Sequence, residues 1–344
     1  MKKKIKNIGG QLFKKILSAN PYIIAEIGAN HNGNFQKALL LIRNAKKAGC
    51  DAVKFQSWDE NLNCSSYYKN NKKEFKEYIK YKLTFNQLKY LRKYAKSNKI
   101  DFGTSPFSYS QYKDAEKLKC DFIKIASMDL NNFKLLNEVC KSKISLIIST
   151  GFANEDEIVR ASKIVKKNKK KNVIFLHCVS LYPPKNENLI NLENMNSIKK
   201  LTGFEVGFSD HTVWTETPLA AAAIGAKVIE KHFTFDKKAK GWDHAVSADL
   251  KEMKNLVKLS KKFYMLKGNP KRILTVDEIR KSKIMRRSIT IRRTIEKNSI
   301  IRIDDLDLQR PGNGIEPKYL KKYFNRKAKN KIFAGNLLKK TDVY

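Results

Sequence analysis

The feature that most constrains the fold of this chain is a regular alternation, from residue 22 onward, between short apolar runs and longer amphipathic segments. Most of these runs are almost uniformly apolar, which is typical of parallel strands that are buried on both faces. Each run therefore predicts a strand. The eight predicted strands comprise residues 22–27, 52–55, 100–103, 122–125, 146–149, 173–177, 204–208 and 226–230.

The segments between the runs have the sequence features of helices. Residues 35–48 carry apolar side chains at helical spacing, and both Thr84 with Gln87 and Asn154 with Glu157 form capping-box patterns. Eight successive βα units, joined by right-handed crossovers, predict an α/β protein with a TIM-type (β/α)8 barrel.

Other regions of the chain flank or interrupt the predicted barrel. The pair Gly9–Gly10 favours a short hairpin over a membrane-surface helix in the basic N-terminal segment. Residues 57–82 form a connection long enough to cross the barrel mouth, and short β-like runs at 288–292 and 300–303 indicate a separate C-terminal module. We predict an N-terminal hairpin at residues 1–20, the barrel at 21–267, a linker at 268–284 and a small β-rich domain at 285–344.

Charge and cysteine content narrow the class of protein. The 71 Lys and Arg residues against 33 Asp and Glu give a net charge of +38, which raises nucleic-acid binding as an alternative function. The lysines are spread through almost every polar segment, however, which argues against a nucleic-acid partner. The sequence instead favours a positive electrostatic field that attracts small anionic substrates. The five cysteines contain no Cys-x-x-Cys pair and follow no secretory signal, which predicts a cytoplasmic protein. No apolar run approaches the roughly 18 residues of a membrane span.

Polar and ionisable side chains lie at the predicted C-terminal ends of the strands, where barrels of this type place their functional groups. All five histidines lie at or just beyond such ends. His211 and His232 follow successive strands, so the two imidazoles could hold one metal ion. The other three are His31, His177 and His244.

Two lysines and one glutamate are the other candidates. An ammonium at the end of an apolar strand is costly to desolvate without an anion. Lys54 and Lys124 therefore either bind a phosphate-like ligand or extend their ammonium groups to solvent at the rim of the barrel. A rival possibility is that Lys124 forms a Schiff base, as in a pyruvate aldolase. Glu26, on a central strand, is either a general base or the partner of a barrel lysine.

Several motifs, in this order along the chain, resemble the sialic acid synthase family. They are AEIGANHNG (25–33), KFQ (54–56), TSPF (104–107), KIAS (124–127), SDHT (209–212), EKHF (230–233) and RPGNG (310–314). The resemblance covers the chain almost end to end, and it implies that the C-terminal module is an antifreeze-like (SAF) domain. The charged segment of that module lacks a flat face of apolar and threonine side chains, which argues against ice binding.

The resemblance implies that phosphoenolpyruvate condenses with an open-chain N-acylated hexosamine, with C–O cleavage, to give a nonulosonic acid and phosphate. It makes Glu26, Lys54, Lys124, His211 and His232 catalytic, and His211 and His232 ligands of Mn(II) or Mg(II). It assigns to phosphoenolpyruvate the residues Lys54, Thr104, Lys124, Ser127, Ser180 and Ser209. It assigns to the sugar the residues Gln56, Asp129, Tyr182, Asp243 and Arg310, with Arg310 reaching in from the partner of a domain-swapped homodimer.

The chain departs from the family pattern at Ser180, Asp129 and Trp242, where Asn, Glu and Pro respectively are common. These departures leave the acceptor open between N-acetylmannosamine and a diacetamido-trideoxyhexose of the legionaminic or pseudaminic type.

Overall fold

The computed structural model describes residues 11–18, 20–58, 62–63, 65–268 and 271–344. The chain divides into two compact units, Met1–Gly268 and Asn269–Tyr344. In the part of the chain that is described, no helix is long and apolar enough to cross a membrane.

Eight parallel strands close into a barrel in sequence order, which confirms the predicted (β/α)8 fold. The strands are β1 Tyr22–Glu26, β2 Ala52–Gln56, β3 Asp101–Ser105, β4 Phe122–Ile125, β5 Ser145–Ser149, β6 Val173–Cys178, β7 Glu205–Asp210 and β8 Val228–His232. The strands β7 and β8 end two residues beyond their predicted ends, because the polar pair Asp210 and Lys231 continues the ladder and forms an ion pair of 2.7 Å.

Helices surround the barrel and connect its strands. They are α1 Gln11–Ile16, α2 Phe35–Ala48, α3 Ser65–Asn70, α4 Lys72–Tyr81, α5 Phe85–Ser97, α6 Tyr109–Lys117, α7 Phe133–Lys141, α8 Glu155–Lys167, α9 Asn194–Thr202, α10 Glu216–Ile224 and α11 Leu250–Leu266. Both predicted capping boxes are present, at the starts of α5 and α8.

The hairpin predicted at the N-terminus is wrong over Gln11–Ile16, which is the helix α1. Apolar side chains in this segment recur at helical spacing, so a helix buries Phe13 and Ile16 on one face. These two side chains pack with Tyr22 and Phe122 in a separate apolar cluster of the barrel. Residues 1–10, which include the predicted Gly9–Gly10 turn, lie outside the described residues.

The C-terminal unit has its own apolar core, which includes Ile289, Ile291 and Leu338. The predicted linker contains a helix, α12 Val276–Met285, which begins with a capping box at Thr275. Two strands, β9 Ser288–Ile291 and β10 Leu306–Gln309, pair antiparallel.

The strand predicted at residues 300–303 is wrong. Ile300 makes only an isolated bridge to Lys327, and Ile303–Asp305 is a 3₁₀ turn. The turn forms because the Asp305 carboxylate accepts a hydrogen bond of 2.7 Å from the Arg302 backbone N–H.

Candidate active site

A cavity of about 320 Å³ opens at the C-terminal end of the barrel. It brings together ten of the residues predicted from the sequence, contributed by six of the eight strand ends and the loops that follow them. They are Glu26, Lys54, Gln56, Lys124, Ser127, Ser180, Tyr182, His211, His232 and Asp243.

Glu26 and Lys54 form a buried ion pair at the base of this cavity. They are register partners on β1 and β2, and Lys54 Nζ lies 2.6 Å from Glu26 Oε2, with both side chains only 1% exposed. Lys54 also donates to Ser105 Oγ at 2.9 Å. Burial raises the pKa of Glu26 to about 7, although the Lys54 ammonium acts in the opposite direction. Glu26 is therefore poised to gain or lose a proton near neutrality.

Lys124 forms a second buried pair, across the barrel, with Glu230 of β8. Ser209 Oγ donates to the same carboxylate oxygen, Glu230 Oε1, at 3.1 Å. Burial alone would lower the pKa of Lys124, but the charges of Glu230, Cys178 and Glu26 and the hydrogen bond to Glu230 together outweigh burial and raise it. Lys124 is therefore a protonated ammonium rather than a free amine.

The rings of His211 and His232 lie 5.5 Å apart between centroids, and Tyr182 stacks on His211 at 4.0 Å. His211 Nδ1 lies 2.9 Å from the Val179 carbonyl oxygen, which leaves Nε2 of the same ring for another ligand. His232 Nδ1 is buried, has no hydrogen-bond partner among the described residues, and lies 3.6 Å from Asp243 Oδ2. Burial, reinforced by the nearby cations, lowers the pKa of His232, so this imidazole is neutral.

These two imidazoles are the side chains that would hold the divalent metal implied by the family resemblance. His232, a neutral ring with an orphaned nitrogen, is ready to ligate. Burial opposes a charge on His211, but Cys178 outweighs burial and raises the pKa of His211, so this ring must lose a proton before it binds a metal. The nearby carboxylate of Asp243 suits Mn(II) or Mg(II). Among the described residues, no cluster of three or more His, Cys, Asp and Glu side chains could hold a metal ion. A metal on two histidines would thus keep most of its coordination positions for substrate and water.

Two serines, Ser127 and Ser180, line the cavity beside Gly151. A Cβ atom at Gly151 would lie 2.1 Å from Ser180 Oγ and 2.7 Å from Ser127 Oγ, so only glycine leaves these hydroxyls room. Ser127 Oγ also donates to Cys178 Sγ at 3.4 Å. Either hydroxyl can donate to an anionic ligand if it turns its hydrogen away from Cys178.

Four predicted residues lie elsewhere. Thr104 pairs with Ser57 at 2.9 Å behind the cavity wall, and Ser209 lies beneath Lys124. Asp129 is half-buried, and burial raises its pKa to about 6. In the C-terminal unit, Arg310 Nε donates to the Met285 carbonyl oxygen at 2.8 Å.

The remaining histidines have partners within the barrel unit. His177 Nε2 lies 2.7 Å from the Ile190 carbonyl oxygen, and His244 Nδ1 lies 2.7 Å from Thr234 Oγ1. His31 is fully buried, and its Nδ1 accepts from the Gly33 backbone N–H at 3.1 Å. Of the five histidines, only His211 and His232 line the cavity.

Sequence reasoning assigned no role to Glu230 or Trp58, two further residues of the cavity, and noted Trp242 only as a departure from the family pattern. Glu230 was visible as a carboxylate two residues before His232 in an apolar strand, and this spacing places both on one face. Trp58 and Trp242 also line the cavity, but both come from long connections whose course the sequence pattern does not define.

A closed (β/α)8 barrel with ionisable groups at its C-terminal end is the architecture of a barrel enzyme. Residues 41–272 match the NeuB family, and residues 286–343 match the SAF domain. The chain therefore belongs to the NeuB family, that of the sialic acid synthases.

Relatives with assigned activities match over nearly their full length. The chain is 34% identical to the N,N'-diacetyllegionaminic acid synthase of Legionella pneumophila, over 92% of this chain and 93% of the relative. It is 32% identical to the pseudaminic acid synthase of Campylobacter jejuni, over 93% and 96% of the two chains. The crystal structure of N-acetylneuraminic acid (sialic acid) synthetase from Leptospira borgpetersenii is similar with a TM-score of 0.72 and 33% identity, covering 77% of this chain and 91% of that one.

Proposed function

We propose that this protein is a nonulosonic acid synthase, which condenses phosphoenolpyruvate with an open-chain N-acylated hexosamine and releases phosphate. The observation that carries the proposal is the convergence, in one cavity, of two buried lysines, two histidines and a glutamate with a pKa near neutrality. Family membership supports the same reaction class.

The lysine side of the cavity is the site for phosphoenolpyruvate. Each ammonium has three N–H donors, so Lys54 and Lys124 can hold their carboxylate partners and still donate to a ligand. Ser127 and Ser180 add neutral hydroxyl donors. Together these groups restrain the phosphate and carboxylate of the nucleophile and so bring its C3 atom toward the aldehyde.

The histidine side is the site for the aldehyde. His211 and His232 would hold Mn(II) or Mg(II), which as a Lewis acid polarises a carbonyl oxygen. Tyr182 stacks on His211 and so limits the orientation of that ring. Gln56 and Asp243 line the cavity beside these histidines and are the proposed contacts of the sugar hydroxyls.

Glu26 is the proposed general base. C3 of phosphoenolpyruvate forms the new bond to the aldehyde carbon, and the cation that develops at C2 takes up a water oxygen. Glu26 accepts one proton of that water and passes it to the former aldehyde oxygen, which becomes a hydroxyl. The tetrahedral intermediate then expels phosphate by cleavage of the C2–O bond, and the proton of its C2 hydroxyl leaves with the phosphate as the keto group forms. An ¹⁸O label in the bridging oxygen of phosphoenolpyruvate should therefore leave with phosphate.

The direct test is phosphate release from phosphoenolpyruvate across a panel of N-acylated hexosamines, with mass spectrometry of the sugar-acid product. Lys124→Met should bind phosphoenolpyruvate more weakly by roughly 1.5–3 kcal/mol, the value of a charged hydrogen bond. Lys170→Met is a matched control, because Lys170 is also buried but bonds to the Ser142 and Ile144 carbonyls before β5. Absence of phosphate release with every acceptor would refute the proposal.

The Schiff-base alternative is disfavoured by the state of Lys124. Its ammonium is paired with Glu230, which raises its pKa, whereas an amine nucleophile must be deprotonated. Borohydride treatment in the presence of pyruvate should therefore leave the mass of the protein unchanged. A trapped adduct on Lys124 would favour the aldolase instead.

The assembly and location of the enzyme are also proposals. Family resemblance suggests a homodimer in which Arg310 of each subunit completes the site of the other. The described cysteines are free and buried, which is compatible with a reducing compartment such as the cytoplasm.

A further inference from the structure

Lysines that are dispersed along the sequence converge at one end of the barrel. Because the barrel strands are all parallel, each connection from a helix back to the next strand lies at the N-terminal end of the strands, opposite the cavity. The seven such connections from α2–β2 to α10–β8 are short, yet they hold seven lysines and only two acidic residues. Apart from the connection between β2 and α5, the longer strand-to-helix connections at the cavity end hold four lysines and six acidic residues. The excess of positive charge in the connections therefore lies away from the cavity.

Most of the lysines at this end are free to bind an external anion. The two aspartates of these connections are already paired, Asp51 with Lys15 at 3.5 Å and Asp121 with Arg92 at 3.3 Å. Five of the seven connection lysines are exposed, and none of the five forms an ion pair with another residue that the structure describes. We call these five the basal lysines; they are Lys99, Lys119, Lys143, Lys169 and Lys171.

Three of the basal lysines occupy backbone positions that disfavour lysine. Lys99, Lys119 and Lys169 have φ angles of +55°, +53° and +52°, in the left-handed region. Each directly follows the C-cap residue of a helix, α5, α6 or α8, where glycine or asparagine is usual because a Cβ atom crowds the following carbonyl oxygen. The helix dipole favours cations within the last turn, and these three residues lie beyond it. Neither backbone preference nor an ion pair therefore accounts for lysine at these positions.

The arrangement of the basal lysines fits a planar anionic surface. They come from the four successive connections that precede β3, β4, β5 and β6, so they spread along half of the rim of the barrel. In the described connections and last helical turns at this end, the exposed large apolar side chains are aliphatic, namely Ile224, Met265 and Leu266. Single-stranded nucleic acids are bound on exposed aromatic rings, on which the bases stack. Lysines beside aliphatic side chains are instead typical of proteins that lie on a membrane surface.

We propose that this end of the barrel is a docking surface for a membrane that contains anionic phospholipids, and that the basal lysines bind the phosphate groups of the lipids. Each cation held close to such a surface strengthens binding by roughly 5-fold. The cavity opens at the opposite end of the barrel, so it faces away from the membrane. This inference does not depend on the proposed function.

Co-sedimentation of the full chain with lipid vesicles tests the inference. The protein should bind vesicles made of equal parts of phosphatidylcholine and phosphatidylglycerol but not vesicles of phosphatidylcholine alone, and added salt should weaken the binding. The triple variant Lys119→Glu, Lys169→Glu and Lys171→Glu should bind the anionic vesicles roughly 10-fold or more weakly. The corresponding triple change to Gln should cause a smaller loss, and circular dichroism shows whether each variant is folded.

A matched control separates this surface from the charge of the whole chain. Lys72, Lys73 and Lys76 are exposed on α4, in the connection between β2 and α5, which lies at the cavity end. Their triple change to Glu alters the net charge by the same amount and should weaken vesicle binding much less.

Three results would overturn the inference. The first is that anionic vesicles are not bound, and the second is an equal loss of binding in the control and the basal variant. The third is tighter binding to a DNA duplex than to the vesicles, lost in the same basal variant, because the partner of this surface would then be a nucleic acid.

Discussion

The buried pair of Glu26 and Lys54 makes the sharpest quantitative prediction. Lys54→Met removes the ammonium that lies 2.6 Å from Glu26 Oε2 in a site that is almost fully buried. Removing one partner of a buried pair typically costs about 3–5 kcal/mol in the free energy of unfolding. We expect a value near the lower bound, because Glu26, with a pKa of about 7, can become neutral by taking up a proton.

This cost should depend on pH with a definite sign. The pKa of Glu26 is raised on folding above its ordinary value of 4.5, so its contribution to stability is greatest below that value and falls as pH rises toward the folded pKa. In the wild type this fall ends near pH 7. In Lys54→Met the pKa of Glu26 is higher still, because the ammonium that lowers it is gone. The contribution of Glu26 to the free energy of unfolding therefore continues to fall above pH 7, by at most about 1.4 kcal/mol per pH unit.

Urea unfolding followed by circular dichroism between pH 6 and 8.5 measures this effect. The cost of Lys54→Met should be about 3 kcal/mol at pH 8 and roughly 1 kcal/mol smaller at pH 6.5. The same substitution in a Glu26→Gln background should cost less, by roughly 1–3 kcal/mol, and should show no such pH dependence. An equal, pH-independent cost in both backgrounds would refute the coupling.

Three further predictions concern the metal, a buried histidine and the partner subunit. Chelation should abolish turnover, and Mn(II) should restore it. Electron paramagnetic resonance should show that His211→Ala and His232→Ala no longer bind Mn(II). Full activity of metal-free protein would contradict this prediction. Burial lowers the pKa of His31 from 6.5 to about 4, so the stability that the neutral ring confers is complete above pH 6.5 and is lost as pH falls toward 4. The free energy of unfolding should therefore fall by about 2 kcal/mol between pH 7.5 and 5, and His31→Gln should lack this pH-dependent loss. Subunit exchange between Glu26→Ala and Arg310→Ala homodimers should restore about a quarter of wild-type activity, since half of the dimers become mixed and each has one intact site; no recovery after exchange confirmed by mass would place Arg310 outside the partner's site.

The barrel was predictable because its signal is local and repeated. Each apolar run is too short for a typical helix and so favours a buried strand, and the capping boxes at Thr84 and Asn154 define helix starts from four residues. The N-terminal hairpin failed for a related reason. The Gly9–Gly10 pair was given more weight than the helical spacing that buries Phe13 and Ile16.

The partners of the lysines were only partly predictable. Glu26 and Lys54 end adjacent strands and lie opposite each other in the register, so this pair was foreseen as one of two alternatives. Lys124 and Glu230 lie on β4 and β8, which are not neighbours in the barrel. Their contact depends on which side chains point inward across its centre, and periodicity does not define that.

The two buried lysine–glutamate pairs also change the role that the sequence assigned to the positive charge of the lysines. The sequence suggested that Lys54 and Lys124 needed an external anion, yet each is already neutralised by a buried carboxylate. The net charge of +38 therefore belongs to the chain as a whole and can attract anions toward the protein, whereas the cavity itself is nearly balanced. Binding within it must depend on directed donors and on shape.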